Sequence, residues 1–280
     1  LYTITICGAS AALKEDTLTP RILDIHHGFN FRDLGGYRTK AGQTLRTHKL
    51  IRSGRLNELS PRDQAYLADY GLKVDVDFRS PQERTSAPDQ LPTGVAYHFT
   101  PVFPVDETKA SADAEQLRRQ ALAKDPLGGF RNMVNTYTDI VLQASAQKAY
   151  REFFDLLLAN DDADSALLFH CSAGKDRTGM GAVYLLTALG VDPVTIRQDY
   201  LASNNYLLGE SERMVNNVRQ AGGSPALIAS TRSLGSVANE YLDSALMTID
   251  ARFGSLDHYL TTTLGVDAQQ RRDLRAIYLD

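Results

Sequence analysis

Within ten consecutive residues, His170-Cys171-Ser172-Ala173-Gly174-Lys175-Asp176-Arg177-Thr178-Gly179, the chain carries a nucleophile, three cationic side chain types, a carboxylate and two glycines. Five residues separate Cys171 from Arg177. An apolar run, Ala166-Leu167-Leu168-Phe169, leads in, and a helix-like run from Thr178 to Leu189 leads out. The order strand, tight loop, helix start aims consecutive backbone N–H groups and the positive end of a helix at one point. A phosphate dianion suits that point. Cys171 then sits beneath it, and Arg177 returns over the top.

Each residue type fits a step of phosphoryl transfer. Only the anion of a thiol attacks, and the helix start, the loop amides and Arg177 all favour the anion of Cys171. Arg177 offers a planar fork for two phosphoryl oxygens. Gly174 lets the loop turn tightly, and the N–H groups of Ser172, Ala173, Gly174, Lys175, Asp176 and Arg177 can line the anion. The Thr178 hydroxyl can bond the thiolate and help it leave. His170 reads as a brace for the loop, with a role in lowering the cysteine pKa as the alternative. Lys175 adds a second cation, against the plainer reading of a solvated loop lysine. The leaving oxygen needs a proton. Asp176, inside the loop, is the favoured acid. Asp77, at the end of a strand, is the runner-up or the group that orients it. A carboxylate that merely ties down an arginine is the rival reading for both.

The flanking pattern supplies a frame for that loop. Lys73–Phe78, Val95–Thr100 and Ala166–His170 read as strands. Ser60-Pro61-Arg62-Asp63 opens a helix that Gly71 closes. Helical spacing recurs over 130–142, 146–159, 178–189, from Asp192-Pro193 toward Leu201, and near 237–252, 256–264 and 268–279. Strands alternating with helices predict an α/β fold of three layers, a largely parallel central sheet with helices on both faces. The cysteine loop then lies at the carboxyl end of its strand, where such sheets bind ligands. Asp106–Asp125 reads as a polar excursion, Leu1–Ile6 as a short strand, and 1–28 as an extension of unassigned structure. Arg32 and Asp33 read as a salt-bridged brace in the site wall, near Asn30 and Gly35-Gly36, with a surface pair as the alternative. Arg52-Ser53-Gly54 reads as a turn. His26, His27 and His98 are read as ordinary loop and strand histidines, since no carboxylate or cysteine spacing supports a metal site.

Bulk properties limit the function classes. The formal charge is −4 over 280 residues, so the chain as a whole is no basic nucleic-acid binder. No apolar run approaches the length of a membrane span. Two cysteines, Cys7 and Cys171, make no disulfide framework. The start at Leu1, without methionine or a basic region, reads as a mature or trimmed form. The expected organisation is one domain over 1–280, as a monomer.

The motifs HCSAGKDRTG, NFRDLGGY, RSGRL and VDVDFRSPQER resemble the bacterial tyrosine phosphatases of the atypical dual- or triple-specificity type. The resemblance runs from about Asn30 to the closing Tyr241-Leu242 and Gly254-Ser255-Leu256 runs. It implies a cysteine-phosphatase α/β fold, a phosphocysteine intermediate, and neither metal nor other cofactor. It carries the proposed acid onto Asp176 and the strand-end aspartate onto Asp77. It associates Lys175 and Asp176 with activity on phosphoinositides besides phosphotyrosine and phosphoserine/threonine. Substrates are then phosphorylated proteins or phosphoinositides, with phosphate as product. Some members cover the site with a two-helix lid, for which 204–236 is the candidate segment, and an ordinary core helix pair is the alternative. Ser172 stands where other members carry bulkier residues. Some members are secreted, so a cytoplasmic and a secreted location both stay open. Two rivals come from other classes: a catalytically inactive phosphate-binding module, and a thiol redox or arsenate-reductase-like enzyme with Cys7 as resolving cysteine.

Overall fold

The computed structural model describes residues 21–104 and 112–280. The expected strand at Leu1–Ile6, and Cys7 with it, lie outside the described residues. Six strands form one sheet: β1 (Arg21–Ile22), β2 (Arg32–Asp33), β3 (Leu50–Ser53), β4 (Leu72–Asp77), β5 (Ala96–Phe99) and β6 (Ala166–His170), in the order β1-β2-β3-β6-β4-β5. β3, β6, β4 and β5 run parallel, while β1 and β2 add an antiparallel edge. β6 lies centrally between β3 and β4. All five of its residues are buried, which is why it reads as an unbroken apolar run instead of an alternating one.

Helices α1 (Pro61–Asp69) and α2 (Pro81–Ser86) flank β4 in sequence. After β5 come α3 (Ala112–Leu122), α4 (Gly128–Leu142) and α5 (Ala144–Ala159), and β6 leads into α6 (Arg177–Leu189). The chain continues through α7 (Pro193–Tyr206), α8 (Leu208–Gln220), α9 (Pro225–Gly235), α10 (Asn239–Phe253), a short α11 (Leu256–His258) with a π-helical turn at Tyr259–Thr263, and α12 (Ala268–Tyr278).

The two faces of the sheet bury different cores. Leu167, Phe169, Val76, Phe78 and Leu50 join a large core with Tyr137 of α4, Phe153 of α5, Met180 of α6, Tyr241 of α10 and Tyr278 of α12. Ala166, Leu168 and Ile51 join a small one with Leu67 of α1. Strand parity thus assigns odd residues of β6 to the crowded face and even ones to the α1 face. α6 runs through the large core and is buried on nearly every side, consistent with its Met180-Gly181-Ala182-Val183-Tyr184-Leu185-Leu186 sequence. Gly190, at φ 90°, ends it.

Three local expectations are corrected. Residues 112–122, read as part of a polar excursion, are helical; alanine, leucine, arginine and glutamine are good helix formers, so a polar segment need not be irregular. Arg52 and Ser53 belong to β3, not to a turn. Arg32 and Asp33 are adjacent in β2 and so point to opposite faces. Arg32 meets Asp199 and Asn30, whereas Asp33 accepts from Tyr70 Oη at 2.7 Å and from the N–H groups of Gly35 and His48. They are not a pair.

Candidate active site

The loop after β6 is shaped from outside by capture of its carbonyls. Arg55 N–H donates to Ser172 O at 3.2 Å. Asn30 Nδ2 donates to Ala173 O and to Gly174 O, both at 3.0 Å. Arg52 donates to Gly174 O at 2.8 Å, and Tyr150 Oη to Arg177 O at 2.9 Å. With these carbonyls drawn outward, the peptide planes turn their N–H groups toward the centre of the loop, the arrangement that holds an anion. Gly174 has φ +69°, and a Cβ there would lie 2.2 Å from Ser53 O, so only glycine fits between loop and β3.

Behind this loop lies a buried charge cluster. Asp199 of α7 accepts from Arg32 at 3.3 Å, from Tyr37 Oη at 3.0 Å and from Arg52 in a very short bond. Two guanidinium groups share one carboxylate, which leaves a net positive charge beside the Gly174 carbonyl. Burial and the neighbouring Arg52 pull Arg32 down to about 10, so it stays protonated at neutral pH. Asn30, at φ 61°, is placed to bond Arg32 and the loop together.

Cys171 sits at the base of the loop with 1% of its surface exposed. Burial pushes its thiol up, but the Arg177 guanidinium, with the Thr178 hydroxyl and N–H, outweighs burial and carries it below the ordinary thiol value. Among the described residues the Thr178 hydroxyl has no other hydrogen-bond partner, so it is available to the sulfur.

Arg177 is clasped by Glu83 of α2. Its two terminal nitrogens donate to Glu83 Oε2 at 2.6 Å and Oε1 at 2.8 Å. Glu83 is itself fixed: Ser80 N–H donates to Oε2 at 2.8 Å, completing a capping box, and the Ser172 hydroxyl donates to Oε1. Burial pushes the Glu83 carboxyl up, yet Arg177 and Ser172 hold it well below the usual carboxylate range. The clasp uses two of the five guanidinium N–H donors and leaves three for a phosphoryl group.

Asp176 and Lys175 form a second pair. Lys175 Nζ lies 2.9 and 2.8 Å from the two Asp176 oxygens, and Tyr137 Oη donates to Asp176 Oδ1 at 2.9 Å, with Tyr200 Oη donating in turn to Tyr137 at 2.8 Å. Lys175 is 4% exposed, so it is no solvated loop lysine. Asp77, in contrast, faces away. It shares the α1 face with His170, opposite the face of Phe169 and Cys171. Its oxygens are taken by Arg79 Nε and Nη2, both at 2.9 Å, and by Tyr97 Oη at 2.7 Å. Burial pushes its pKa up, and His170 and Arg79 together carry it below the ordinary value.

His170 lies beneath the loop, fully buried, with Nδ1 3.3 Å from Cys171 O. Its Nε2 and oxygens of Asp75 and Asp89 lie within 4.8 Å of one another, a trio of the kind that can hold a metal. Both Asp89 oxygens are already engaged, by Leu56 N–H at 3.0 Å and by Arg79, and the Arg79 charge opposes a second cation at the trio. His27 and His26 instead bond Asp63 at the start of α1, and His98 lies on β5.

Cys171, Ser172, Ala173, Lys175, Asp176 and Arg177 open together into a cavity of about 530 Å³. Phe29, Arg55, Ser80 and Glu83 wall one side; α4 contributes Met133 and Thr136; α8 and α9 contribute Glu210, Met214 and Leu234.

A model of the tyrosine phosphatase family matches residues 23–280. A protein of Cupriavidus necator named as a tyrosine-protein phosphatase is 35% identical over 243 residues, covering 87% of this chain and 84% of its own. The triple specificity protein phosphatase PtpB of Mycobacterium tuberculosis is 31% identical over 265 residues, covering 85% of this chain and 92% of its own. The chain belongs to the tyrosine phosphatase family. The fold is the α/β arrangement expected of such a phosphatase, and among the described residues no helix is long and apolar enough to cross a membrane.

Two groups of this phosphatase's site escaped the sequence reading. Glu83 carried a signal, the Ser-x-x-Glu spacing of a capping box at Ser80-Pro81-Gln82-Glu83. The pairing of Asp199 with Arg32, itself read as a wall residue, and with Arg52 carried none, because Asp199 lies 167 residues from Arg32 and 147 from Arg52.

Proposed function

We propose that this phosphatase works through a phosphocysteine intermediate and accepts phosphotyrosine, phosphoserine/threonine and phosphoinositides. The observation that carries the mechanism is the convergence of Cys171, Arg177 and Asp176 on one cavity, with the loop carbonyls drawn outward. The Cys171 thiolate attacks phosphorus in line, and the sulfur–phosphorus bond forms as the bond to the leaving oxygen breaks. Asp176 gives its proton to that oxygen. Water then attacks the phosphocysteine, Asp176 takes the water's proton, and the thiolate departs with help from Thr178. Arg177 and the loop N–H groups hold the equatorial oxygens in both steps. Asp176 is preferred to Asp77 as the acid because Asp77 is tied to Arg79 on the far face of the sheet.

Breadth of substrate is supported by the Lys175–Asp176 pair lining the cavity and by the similarity to a relative named for triple specificity. A second phosphate on an inositol ring can draw Lys175 from Asp176, which also frees the acid. The α8–α9 pair, packed on α4 through α9, forms the outer wall of the cavity and serves as a lid over bound substrate. Cys171→Ser tests the mechanism: turnover should vanish while phosphate-analogue binding persists, and retained turnover refutes it. Lys175→Ala tests the specificity. It should reduce kcat/KM on phosphoinositides more than on an aryl phosphate, and equal losses refute the assignment.

A further inference from the structure

Asp75 lies in β4 at 0% exposure, and among the described residues neither of its carboxylate oxygens has a hydrogen-bond partner. A carboxylate stripped of water in this way is rare without a function. Parity turns it to the α1 face, the same face as His170 on the neighbouring strand. His170 Nε2 lies 3.5 Å from Asp75 Oδ1, 3.5 Å from Asp89 Oδ2 and 3.8 Å from Asp77 Oδ1. The other charged and titratable groups here are Arg79, which pairs with both Asp77 and Asp89, and Tyr97 of β5, which bonds Asp77. Asp77 and Asp89 are therefore compensated by Arg79. Asp75 has only His170.

The protons on the imidazole follow from its neighbours. Nδ1 faces the Cys171 carbonyl, which can only accept, so Nδ1 carries a hydrogen. Nε2 faces three carboxylates, where a bare lone pair would be repelled, so it carries one too. We propose that Asp75 is a positioning residue of the phosphatase reaction: it keeps His170 as an imidazolium, and that cation holds the Cys171 carbonyl from behind and favours the thiolate. The inference rests on Cys171 being the nucleophile. Burial pushes His170 down, but Asp75 and Asp77 carry it well above its ordinary value, in agreement with the geometry. Burial pushes the Asp75 carboxyl up, and His170 is the charge that opposes this; a neutral His170 would leave Asp75 without a counter-charge.

Two measurements test this. In the wild-type enzyme with nitrogen-15 histidine, the His170 ring, assigned by its loss in His170→Asn, should show both nitrogens protonated from acid to mildly alkaline pH. A neutral ring at neutral pH overturns the proposal, whether or not any variant folds. In Asp75→Asn, which keeps the shape and removes the charge, the pH midpoint for alkylation of Cys171 by iodoacetamide should rise by about one unit. The acid limb of kcat/KM on an aryl phosphate should move with it, giving about a tenfold loss at low pH that closes as pH rises. A lower melting temperature with an unmoved midpoint and acid limb makes Asp75 a packing residue and overturns the proposal. If Cys171→Ser remains active, the nucleophile assignment itself has failed. If that variant is dead and the alkylation midpoint has not moved in Asp75→Asn, only the role of Asp75 has failed.

Discussion

Replacing Glu83 by glutamine separates two opposite expectations about Arg177, the proposed phosphoryl-binding arginine. Coulomb's law alone says that removing a carboxylate beside a dianion site should help the enzyme. The geometry says the reverse for turnover. Glu83 receives Arg177 through two bonds of 2.6 and 2.8 Å, and its own position is fixed by Ser80 N–H and Ser172. A glutamine keeps one acceptor but turns an NH2 toward a guanidinium N–H, so one charge-assisted bond is lost and a donor meets a donor. Such a bond is worth about 1.5–3 kcal/mol. If about 2–3 kcal/mol of Arg177 alignment disappears from the transition state, kcat falls roughly 30- to 150-fold. KM should stay level or drop, because the ground-state dianion no longer meets the carboxylate's charge. The assay is steady-state kinetics on an aryl phosphate, with vanadate inhibition as a second reading of the loop. Unchanged kcat with a lower KM would show that Glu83 only repels substrate and does not orient Arg177. The same variant has a pH signature. The folded Glu83 carboxyl lies below its ordinary value of 4.5, so its stabilisation is complete above that pH and is lost as pH falls further. Glu83→Gln should therefore melt lower at neutral pH and lose less of its stability on acidification than the wild type.

Gly174→Ala should displace the loop, because φ is +69° and the new Cβ would meet Ser53 backbone atoms at 2.2 and 2.4 Å. A left-handed residue costs about 1–2 kcal/mol before the clash is counted, so melting temperature and kcat should fall together, the latter at least about tenfold. Wild-type kinetics in that variant would mean the loop has slack against β3. Asp199→Asn should cost about 3–5 kcal/mol in urea unfolding, since it leaves the buried guanidinium groups of Arg32 and Arg52 without their counter-charge. A loss below about 1 kcal/mol would show that the two arginines find other acceptors in the loop carbonyls.

Much of the site was legible because it is local. A continuous apolar strand, a glycine-bearing loop and an apolar helix follow one another from Ala166 to Leu189, and strand and helix periods mark them without any knowledge of the rest. The same holds for α1, whose cap, first-turn proline and closing glycine are all adjacent in sequence. What was not legible is what holds the loop in shape. Asn30 reaches Ala173 and Gly174 across more than 140 residues, and Glu83 reaches Arg177 across 94. Two-residue strands such as β1 and β2 are too short for any period to show, so Arg32 and Asp33 looked like partners when the pleat sends them apart.

The contest between Asp77 and Asp176 shows where pattern reading can be pushed further. Both aspartates sit close to a site motif, and sequence proximity cannot rank them. Strand parity can. Phe169 belongs to the crowded core, so Cys171, two residues on, continues that face. β4 is parallel to β6 with Val76 opposite Phe169, which places Val76 and Phe78 on the cysteine's face and Asp75 and Asp77 on the other. His170 links the aspartates of that face to the cysteine's backbone, with Nε2 toward the carboxylates and Nδ1 toward the Cys171 carbonyl. The strand thus divides the acids by face. Asp176, held by Lys175 and Tyr137 on the cavity side, is the proposed acid. Asp75, on the other face, is the proposed counter-charge of the histidine behind the loop.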